Sequence, residues 1–216
     1  MSKKPHIVIG GGGHGAVLVD MMQLLGLSIA GIVDPGLEAG SIGPGGLKIL
    51  GGDEVIFEQD PSAIKLVNGV GSVGATLVRH GVYDRFAQRG FSFATLVHPS
   101  AIVAADVELG AGVQVMAGVV LQTGVRVGAN SIINTRAGLD HHCIISAHVH
   151  IAPGVTLSGN VEVGEGSHIG TGVNIKQKVV VGSNVVVGIG VAVLAAIADN
   201  TIIHPAVNPV WTKRSR

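Results

Sequence analysis

The feature that most constrains this sequence is an unbroken six-residue rhythm from Val97 to Ala198. The stretch divides into seventeen hexads without one insertion, from VHPSAI to VLAAIA. The first residue of each hexad is Val, Leu or Ile, and the fifth is Ala, Val, Ser, Cys or Ile. A helix repeats every 3.6 residues and a strand every two, so neither fits as one uninterrupted element. The rhythm predicts short strands around a narrow aliphatic core, joined by tight corners where Gly, Asn and Asp cluster.

The residues before the repeat alternate between apolar strands and helices. HIVIGGGGHGAVLVDMMQLLG predicts a strand, a glycine turn and a helix over 16–25. LSIAGIVDP predicts a second strand, and AIKLVNGVGS predicts a third, separated from the second by a loop over 34–52. A further helix is predicted over 75–89, and this alternation indicates a small parallel sheet. We therefore expect a βαβ domain at 1–96 and a repeat domain at 97–216 that ends in a short tail.

A glycine-rich turn follows the first predicted strand. Gly10, Gly12 and Gly15 satisfy the pattern G-x-G-x-x-G, and Asp34 lies about twenty positions later. Backbone N–H groups at a helix start bind anions, and an acidic residue at this distance accepts from a sugar or a base. About ninety residues hold only half of a dinucleotide fold, so the motif predicts a mononucleotide-sized ligand. The alternative is a tight turn that packs helix on strand and binds nothing.

Composition excludes several other classes of protein. Fourteen acidic residues balance fourteen basic ones, so no basic field is available to capture nucleic acid or a membrane surface. No apolar run approaches the ~20 residues of a membrane span, and the start of the sequence reads as a strand instead of a signal peptide. These observations predict a cytoplasmic protein. The single Cys143 excludes an internal disulfide framework and a thiolate-rich zinc site.

Both halves of the sequence resemble a known family. The hexads resemble the repeat of left-handed parallel β-helices, with three hexads per coil. A glycine-rich half-Rossmann-like α/β domain before such an all-β helix is similar to bacterial nucleotide-sugar acetyltransferases of the hexapeptide-repeat superfamily. That family includes sialic-acid O-acetyltransferases and the N-acetyltransferases of UDP-4-amino sugars and GDP-perosamine. The matching stretches are GGGGHG (10–15), IVDP (32–35), NGVGS (68–72), HPSA (98–101), INT (133–135), DHHC (140–143), HIAPG (150–154) and LSGNV (157–161).

The resemblance implies an acetyl-CoA-dependent N-acetyltransferase that acts on a nucleotide-linked 4-amino-4,6-dideoxy sugar. GDP-perosamine is the expected acceptor, O-antigen synthesis the expected setting, and a homotrimer with sites between neighbouring subunits the expected assembly; no metal is expected. The general base of the family aligns with His141. Donor contacts are implied for His150, Gly159, Thr171 and Ile189. Contacts with the nucleotide sugar are implied for Gly10, Gly12, Gly13, His14, Gly15, Asp34, Gly71, Asn134 and Thr135.

The chemistry of acetyl transfer suits a histidine at position 141. An amine that attacks a thioester must lose a proton, and a histidine with the usual pKa near 6.5 takes it near neutral pH. Gly159 lies eighteen residues beyond His141, which is one coil, so the two are expected to stack. Relatives commonly place an acidic residue after the catalytic histidine, whereas this chain has His142. Either Asp140 or a residue of a neighbouring coil therefore orients the imidazole, or the base is weaker than in those relatives.

Several alternatives remain open at the level of sequence. Acetylation of a sugar hydroxyl is one, a γ-type zinc carbonic anhydrase with clustered histidines is another, and a non-catalytic nucleotide-sugar binder is the third. No residue pattern distinguishes guanine from uracil. The loop residue His14 is expected to face the sugar or the pyrophosphate, and His148 and His168 are expected to form structural contacts. Trp211 in the tail is expected to pack on the donor's adenine or on a neighbouring subunit.

Overall fold

The computed structural model describes residues 4–74 and 76–205, and its first part is a four-stranded parallel sheet. The strands are β1 (His6–Ile9), β2 (Ile29–Val33), β3 (Ile49–Gly51) and β4 (Lys65–Asn68). The helices are α1 (Gly13–Leu24), α2 (Glu54–Phe57) and α3 (Leu77–Ala87). The strand order is β3-β2-β1-β4, so the glycine turn after β1 leaves the middle of the sheet.

Alternation along β1 explains why this sheet is covered on both faces. Val8 packs on one face with Leu18 and Met22 of α1, whereas Ile7 and Ile9 pack on the other face. A parallel sheet buried on both sides carries such continuous apolar strands. The predicted α/β arrangement is therefore confirmed.

Two details of the N-terminal prediction were wrong. Helix α1 begins at Gly13 instead of Ala16, because the Ala16 N–H already donates to the Gly12 carbonyl and closes a helical turn through the glycines. The predicted loop 34–52 contains β3 and a short 3-10 turn at Pro44–Gly46. Strand β3 has only three residues and ends in glycine, so it shows no alternation from which it could be predicted.

The second part is a three-sided parallel β-helix built from two-residue strands. Face A has seven strands: Leu96–Val97, Gln114–Val115, Ile132–Ile133, His150–Ile151, His168–Ile169, Val186–Val187 and Ile202–Ile203. Face B has six strands: Ile102–Val103, Val120–Leu121, Gly138–Leu139, Thr156–Leu157, Asn174–Ile175 and Ala192–Val193. Face C has five strands: Glu108–Leu109, Arg126–Val127, Ile144–Ile145, Glu162–Val163 and Val180–Val181.

The register of these strands follows the hexads. Ile132 pairs with Gln114 below and His150 above, eighteen residues away in each direction, so three hexads make one coil. The first and fifth positions of the hexads form one continuous buried core. The fourth position takes positive φ in most hexads, which Asn and Gly tolerate. It does so also at four bulkier residues: Arg136, His142, His148 and Lys178. The prediction of short strands and permissive corners is confirmed, although these bulkier corner residues were not foreseen.

The seventeenth hexad departs from the predicted regularity. Ile197 pairs with Val181 and Ile202 pairs with Val186, so each partner is sixteen instead of eighteen residues away. The coil that contains residues 193–198 is therefore two residues shorter than the others. The hexad pattern survives in the residue types of this stretch, but its corner has been shortened.

A buried polar network joins the two parts of the chain at face A. The Arg79 guanidinium of α3 donates to the carbonyl oxygens of Asn68, Val70 and Asn130. The Asn68 side chain donates to the Asn130 side chain at 3.1 Å. Burial lowers the pKa of Arg79 to about 9. Because this network ties the end of β4 to a β-helix corner, it fixes the loop after β4 relative to face A.

None of the helices in the described ranges is long and apolar enough to cross a membrane.

Candidate active site

A cavity of about 620 Å³ opens where the glycine turn, the loop after β4 and the β-helix meet. Its walls come from three elements that are distant in sequence. Nine of the residues that sequence reasoning assigned to ligands line this one cavity: Gly10, Gly12, Gly13, His14, Asp34, Gly71, Asn134, Thr135 and His150. The structure therefore brings the glycine motif and the first β-helix corner, which joins faces A and B, to a common site.

The glycine turn is held open by Asp34. One carboxylate oxygen accepts from the Gly11 N–H at 2.8 Å and the other accepts from the Gly36 N–H at 2.9 Å. Gly15 does not line the cavity, because it lies beneath the turn where a Cβ atom would collide with the Gly10 carbonyl oxygen. Its place in the motif is explained by this close approach of helix and turn.

Replacing Gly15 with Ala is expected to lower the free energy of unfolding by about 1–3 kcal/mol, since the turn must shift to admit one methyl group. Gly13→Ala is the matched control, because a Cβ atom at Gly13 meets nothing within 4 Å. Urea denaturation of both variants checks the prediction. Equal stability of the two would show that the collision is relieved at no cost.

The half-buried His14 and the buried His150 form one wall of the cavity. His14 Nε2 lies 2.8 Å from Gln114 Oε1, and the His150 ring lies between the Ser72 hydroxyl at 2.7 Å and the Asn134 amide at 3.1 Å. Burial, with the Arg79 charge as a smaller cause, lowers the pKa of His14 to about 4. Burial, then the neighbouring His168, lowers the pKa of His150 to about 3. Both imidazoles are therefore neutral near pH 7.

His141 lies on a different corner, between faces B and C. Its ring covers Gly159, where a Cβ atom would collide with the imidazole, so the expected stacking is present. Asp140 accepts from the backbone N–H of His141 at 2.7 Å and not from the ring. The ring Nδ1 lies 3.2 Å from His142 Nδ1 and 3.5 Å from the Asn160 amide nitrogen. Asp140 therefore does not orient the imidazole. In the neighbouring coil, Asn160 is the residue whose amide contacts the ring.

The remaining predicted donor residues follow the corner between faces A and B. Thr135 and Thr171 both line a depression of about 660 Å³ on this corner, and Ile189 lies one coil beyond Thr171 with its side chain exposed. The predicted residues thus divide between two corners of the prism. A single chain places His141 and Gly159 at one corner and the 620 Å³ cavity at another.

The other histidines contact protein groups. His148 Nδ1 accepts from the Asn130 amide at 3.0 Å, and its ring stacks on His80 of α3 with centroids 3.5 Å apart. His168 packs edge-on against His150 with centroids 4.9 Å apart. Within the described ranges, the one group of three potential metal ligands is His80, His148 and Glu165, which does not include His141. Trp211 lies outside the described residues.

Sequence reasoning missed the polar residues that support the cavity. Gln114 and Arg79 are buried, and each contacts groups far away in sequence. Ser72 stood within a matching stretch, but nothing in that stretch indicates its contact with His150. The signal that could have found Gln114 is its position, because a polar residue at the sixth place of a hexad on a covered face must have buried partners.

Comparison with known proteins agrees with this geometry. Residues 7–86 match the family described as the PglD N-terminal domain. The acetyltransferase domain of PglB from Neisseria gonorrhoeae, whose structure was determined with acetyl coenzyme A, is 34% identical, with a TM-score of 0.84. The alignment covers 93% of this chain and 96% of that domain. The chain belongs to the hexapeptide-repeat acetyltransferase family. The predicted family is therefore confirmed.

Two further structures extend the comparison. PerB from Caulobacter crescentus, in complex with CoA and GDP-perosamine, is 31% identical, with a TM-score of 0.84 over 93% of this chain and 94% of that one. WeeI from Acinetobacter baumannii AYE shares the fold at 20% identity, with a TM-score of 0.81 over 92% of this acetyltransferase and 96% of WeeI. The predicted left-handed β-helix with an N-terminal α/β domain is confirmed. Family membership favours an acetyltransferase over the zinc hydratase and the non-catalytic binder.

Proposed function

We propose that this acetyltransferase transfers the acetyl group of acetyl-CoA to the 4-amino group of a nucleotide-linked 4-amino-4,6-dideoxy sugar. GDP-perosamine is the acceptor that we propose, because PerB at 31% identity was determined with that molecule and CoA. The observation that carries the proposal is the cavity of about 620 Å³, where the glycine turn meets Asn134 and Thr135. A nucleotide at the turn directs its sugar toward the β-helix.

The division of the predicted residues between two corners supports a site shared by two copies of the chain. The cavity and Thr171 belong to the corner between faces A and B, whereas His141 belongs to the next corner. We propose a homotrimer in which the first corner of one subunit meets the second corner of its neighbour. The donor then lies along this seam, with its thioester beside His141 of the neighbour.

The proposed reaction needs one base and close positioning. The sugar nitrogen bonds to the acetyl carbon, the carbon–sulfur bond breaks, and the proton lost by nitrogen passes through His141 to the departing thiolate. A thioester is already activated, so positioning supplies much of the rate. The missing side chain at Gly159 leaves room for the imidazole and the pantetheine at the same corner.

The acceptor is tested by measuring release of free thiol from acetyl-CoA. The enzyme is supplied with GDP- and UDP-linked 4-amino-4,6-dideoxy sugars and with matched 4-hydroxy sugars. The proposal expects turnover with the GDP-linked amino sugar and none with the hydroxy sugars. Faster turnover of a UDP-linked amine would correct the nucleotide, and turnover of a hydroxy sugar would replace N-acetylation with O-acetylation.

The shared site is tested by mixing two variants that are each expected to have low activity. Gly12→Phe fills the cavity from a position where a Cβ atom meets nothing, and His141→Asn removes the base at the other corner. If each site draws on two chains, reassembly of an equal mixture restores about one quarter of the wild-type activity, since half of the cavities and half of the bases are intact. A mixture as inactive as its components would contradict a site between subunits.

A further inference from the structure

We infer that the cavity wall presents one fixed acceptor, His14 Nδ1, and one fixed donor, the Ser72 hydroxyl. The ligand must then place an O–H or N–H group opposite His14 and an acceptor oxygen opposite Ser72. The inference rests on the proposed function only for the identity of that ligand as a nucleotide sugar. The hydrogen positions themselves follow from the side-chain amides that contact the two histidines, His14 and His150.

The first amide is Gln114, which fixes the hydrogen on His14. Gln114 Nε2 donates to the Asn68 carbonyl oxygen at 2.8 Å, so the amide cannot be turned around without placing two oxygens together. Gln114 Oε1 consequently faces His14 Nε2 at 2.8 Å and requires a hydrogen there. A neutral imidazole carries one hydrogen, so Nδ1 is left with a lone pair.

His14 stays neutral because of its surroundings. Its partial burial, with the Arg79 guanidinium close enough to oppose a second positive charge, lowers its pKa to about 4. Among the described residues, no side chain or backbone group donates to His14 Nδ1. Because His14 lines the cavity, this lone pair is available to a ligand.

The second amide is Asn134, which fixes the hydrogen on Ser72 through His150. Asn134 Oδ1 accepts from the Thr135 N–H at 2.7 Å, so Asn134 Nδ2 faces His150 Nε2 and donates to it. His150 must therefore carry its hydrogen on Nδ1, which donates to the Ser72 oxygen at 2.7 Å. The Ser72 hydroxyl hydrogen is not used in this contact, and Ser72 also lines the cavity.

These hydrogen positions decide whether His14 faces the sugar or the pyrophosphate of the ligand. A phosphate oxygen has only lone pairs and is repelled by His14 Nδ1, whereas a sugar hydroxyl or amine hydrogen is attracted. No Lys or Arg side chain is among the residues that line the cavity in the described ranges. The anionic part of the ligand is therefore directed to the backbone N–H groups of the glycine turn and to Ser72. The His14 side is left for a hydrogen of the sugar.

Nitrogen-15 NMR of the ligand-free protein, labelled at histidine, tests the hydrogen positions directly. The inference expects His14 in the Nε2–H form and His150 in the Nδ1–H form, both unchanged from pH 5.5 to pH 8. His98→Asn serves as a labelling control that removes an unrelated signal. A His14 resonance of the Nδ1–H form, or of an imidazolium at pH 6.5, would overturn the inference whatever the enzyme's substrate.

Ligand analogues test the consequence in the cavity. GDP-mannose and UDP-glucose are first tested for binding. The affinity of the one that binds is then compared with the affinities of its deoxyfluoro analogues, in which fluorine replaces one sugar hydroxyl at a time. One analogue is expected to bind wild-type protein about 10-fold more weakly, and this penalty disappears in His14→Leu because the acceptor is gone. Ser72→Ala, in contrast, keeps the penalty.

Analogues that all bind as tightly as their parent sugar would contradict the placement of His14. If neither parent sugar binds, the thiol-release assay with 4-amino sugars decides the proposed function, and the NMR result alone decides the hydrogen positions. If His14→Leu fails to fold, His14→Phe replaces it, because a phenyl ring keeps the approximate shape of the imidazole and carries no acceptor for the ligand.

Discussion

Replacing His141 with Asn is expected to lower turnover by about 10- to 1,000-fold, because a general base usually supplies about 10²–10⁴-fold and positioning of an activated thioester carries part of the rate without it. The amide keeps much of the side-chain size but cannot take the proton of the attacking amine. The ring is partly exposed and makes no buried contact other than the one over Gly159, so the fold should be unaffected. Steady-state kinetics at saturating acceptor with varied acetyl-CoA check the prediction, and the KM of the donor should change little.

The matched control for this experiment is His98→Asn. His98 Nδ1 accepts from the Ser100 N–H at 3.0 Å, and an asparagine oxygen can replace that acceptor. Wild-type turnover is expected for this variant, since His98 lies at the first coil and touches neither cavity nor base. If His141→Asn also turns over at the wild-type rate, His141 is not the base.

The Gly159→Ala variant is expected to lose up to about 100-fold in turnover, and no more than His141→Asn loses, although its own atoms take no part in the chemistry. A Cβ atom there would occupy the space of the His141 imidazole, so the ring must move off the corner. Displacement of a catalytic group by about 1 Å costs rate on this scale. Gly159 has ordinary backbone angles, so the loss would not come from strain in the main chain.

Two comparisons isolate this cause. Gly81→Ala on α3 adds the same methyl group in open space and should leave turnover unchanged. The double variant Gly159→Ala with His141→Asn should be no slower than His141→Asn alone, because both changes remove one function. Additive losses in the double variant would mean that Gly159 acts on the donor independently of the imidazole.

The β-helix was predictable because each of its contacts repeats. An aliphatic residue at the first position of each hexad marks a strand, and the six-residue spacing places the next one. The prediction therefore fails only where the length of a turn departs from this spacing. The shortened turn before Ile197 is such a place, since VLAAIA keeps the residue types of a hexad. The N-terminal sheet was predictable as a class, but β3 was not, because three residues carry no periodicity.

The candidate site was predictable only in part. The glycine motif and the resemblance named most residues of the cavity, and the eighteen-residue coil placed Gly159 beside His141. Sequence proximity was misleading elsewhere, because Asn134 and His141 are seven residues apart and yet lie on different corners of the prism. The contacts of Arg79 and Gln114 join elements that are far apart in the sequence, so no local sequence pattern indicates them.

The shortened last coil has a consequence for solubility. A stack of identical coils ends in unpaired N–H and C=O groups, onto which another prism of the same pitch could polymerise end to end. Here the last rungs that the structure describes, at Ile197 and Ile202, stay paired with Val181 and Val186, and the shortened coil places Pro205, which has no N–H to donate, over Gly188. At this end of the described residues, another prism therefore cannot continue the hydrogen-bond ladder at Pro205, which opposes end-to-end growth into a filament.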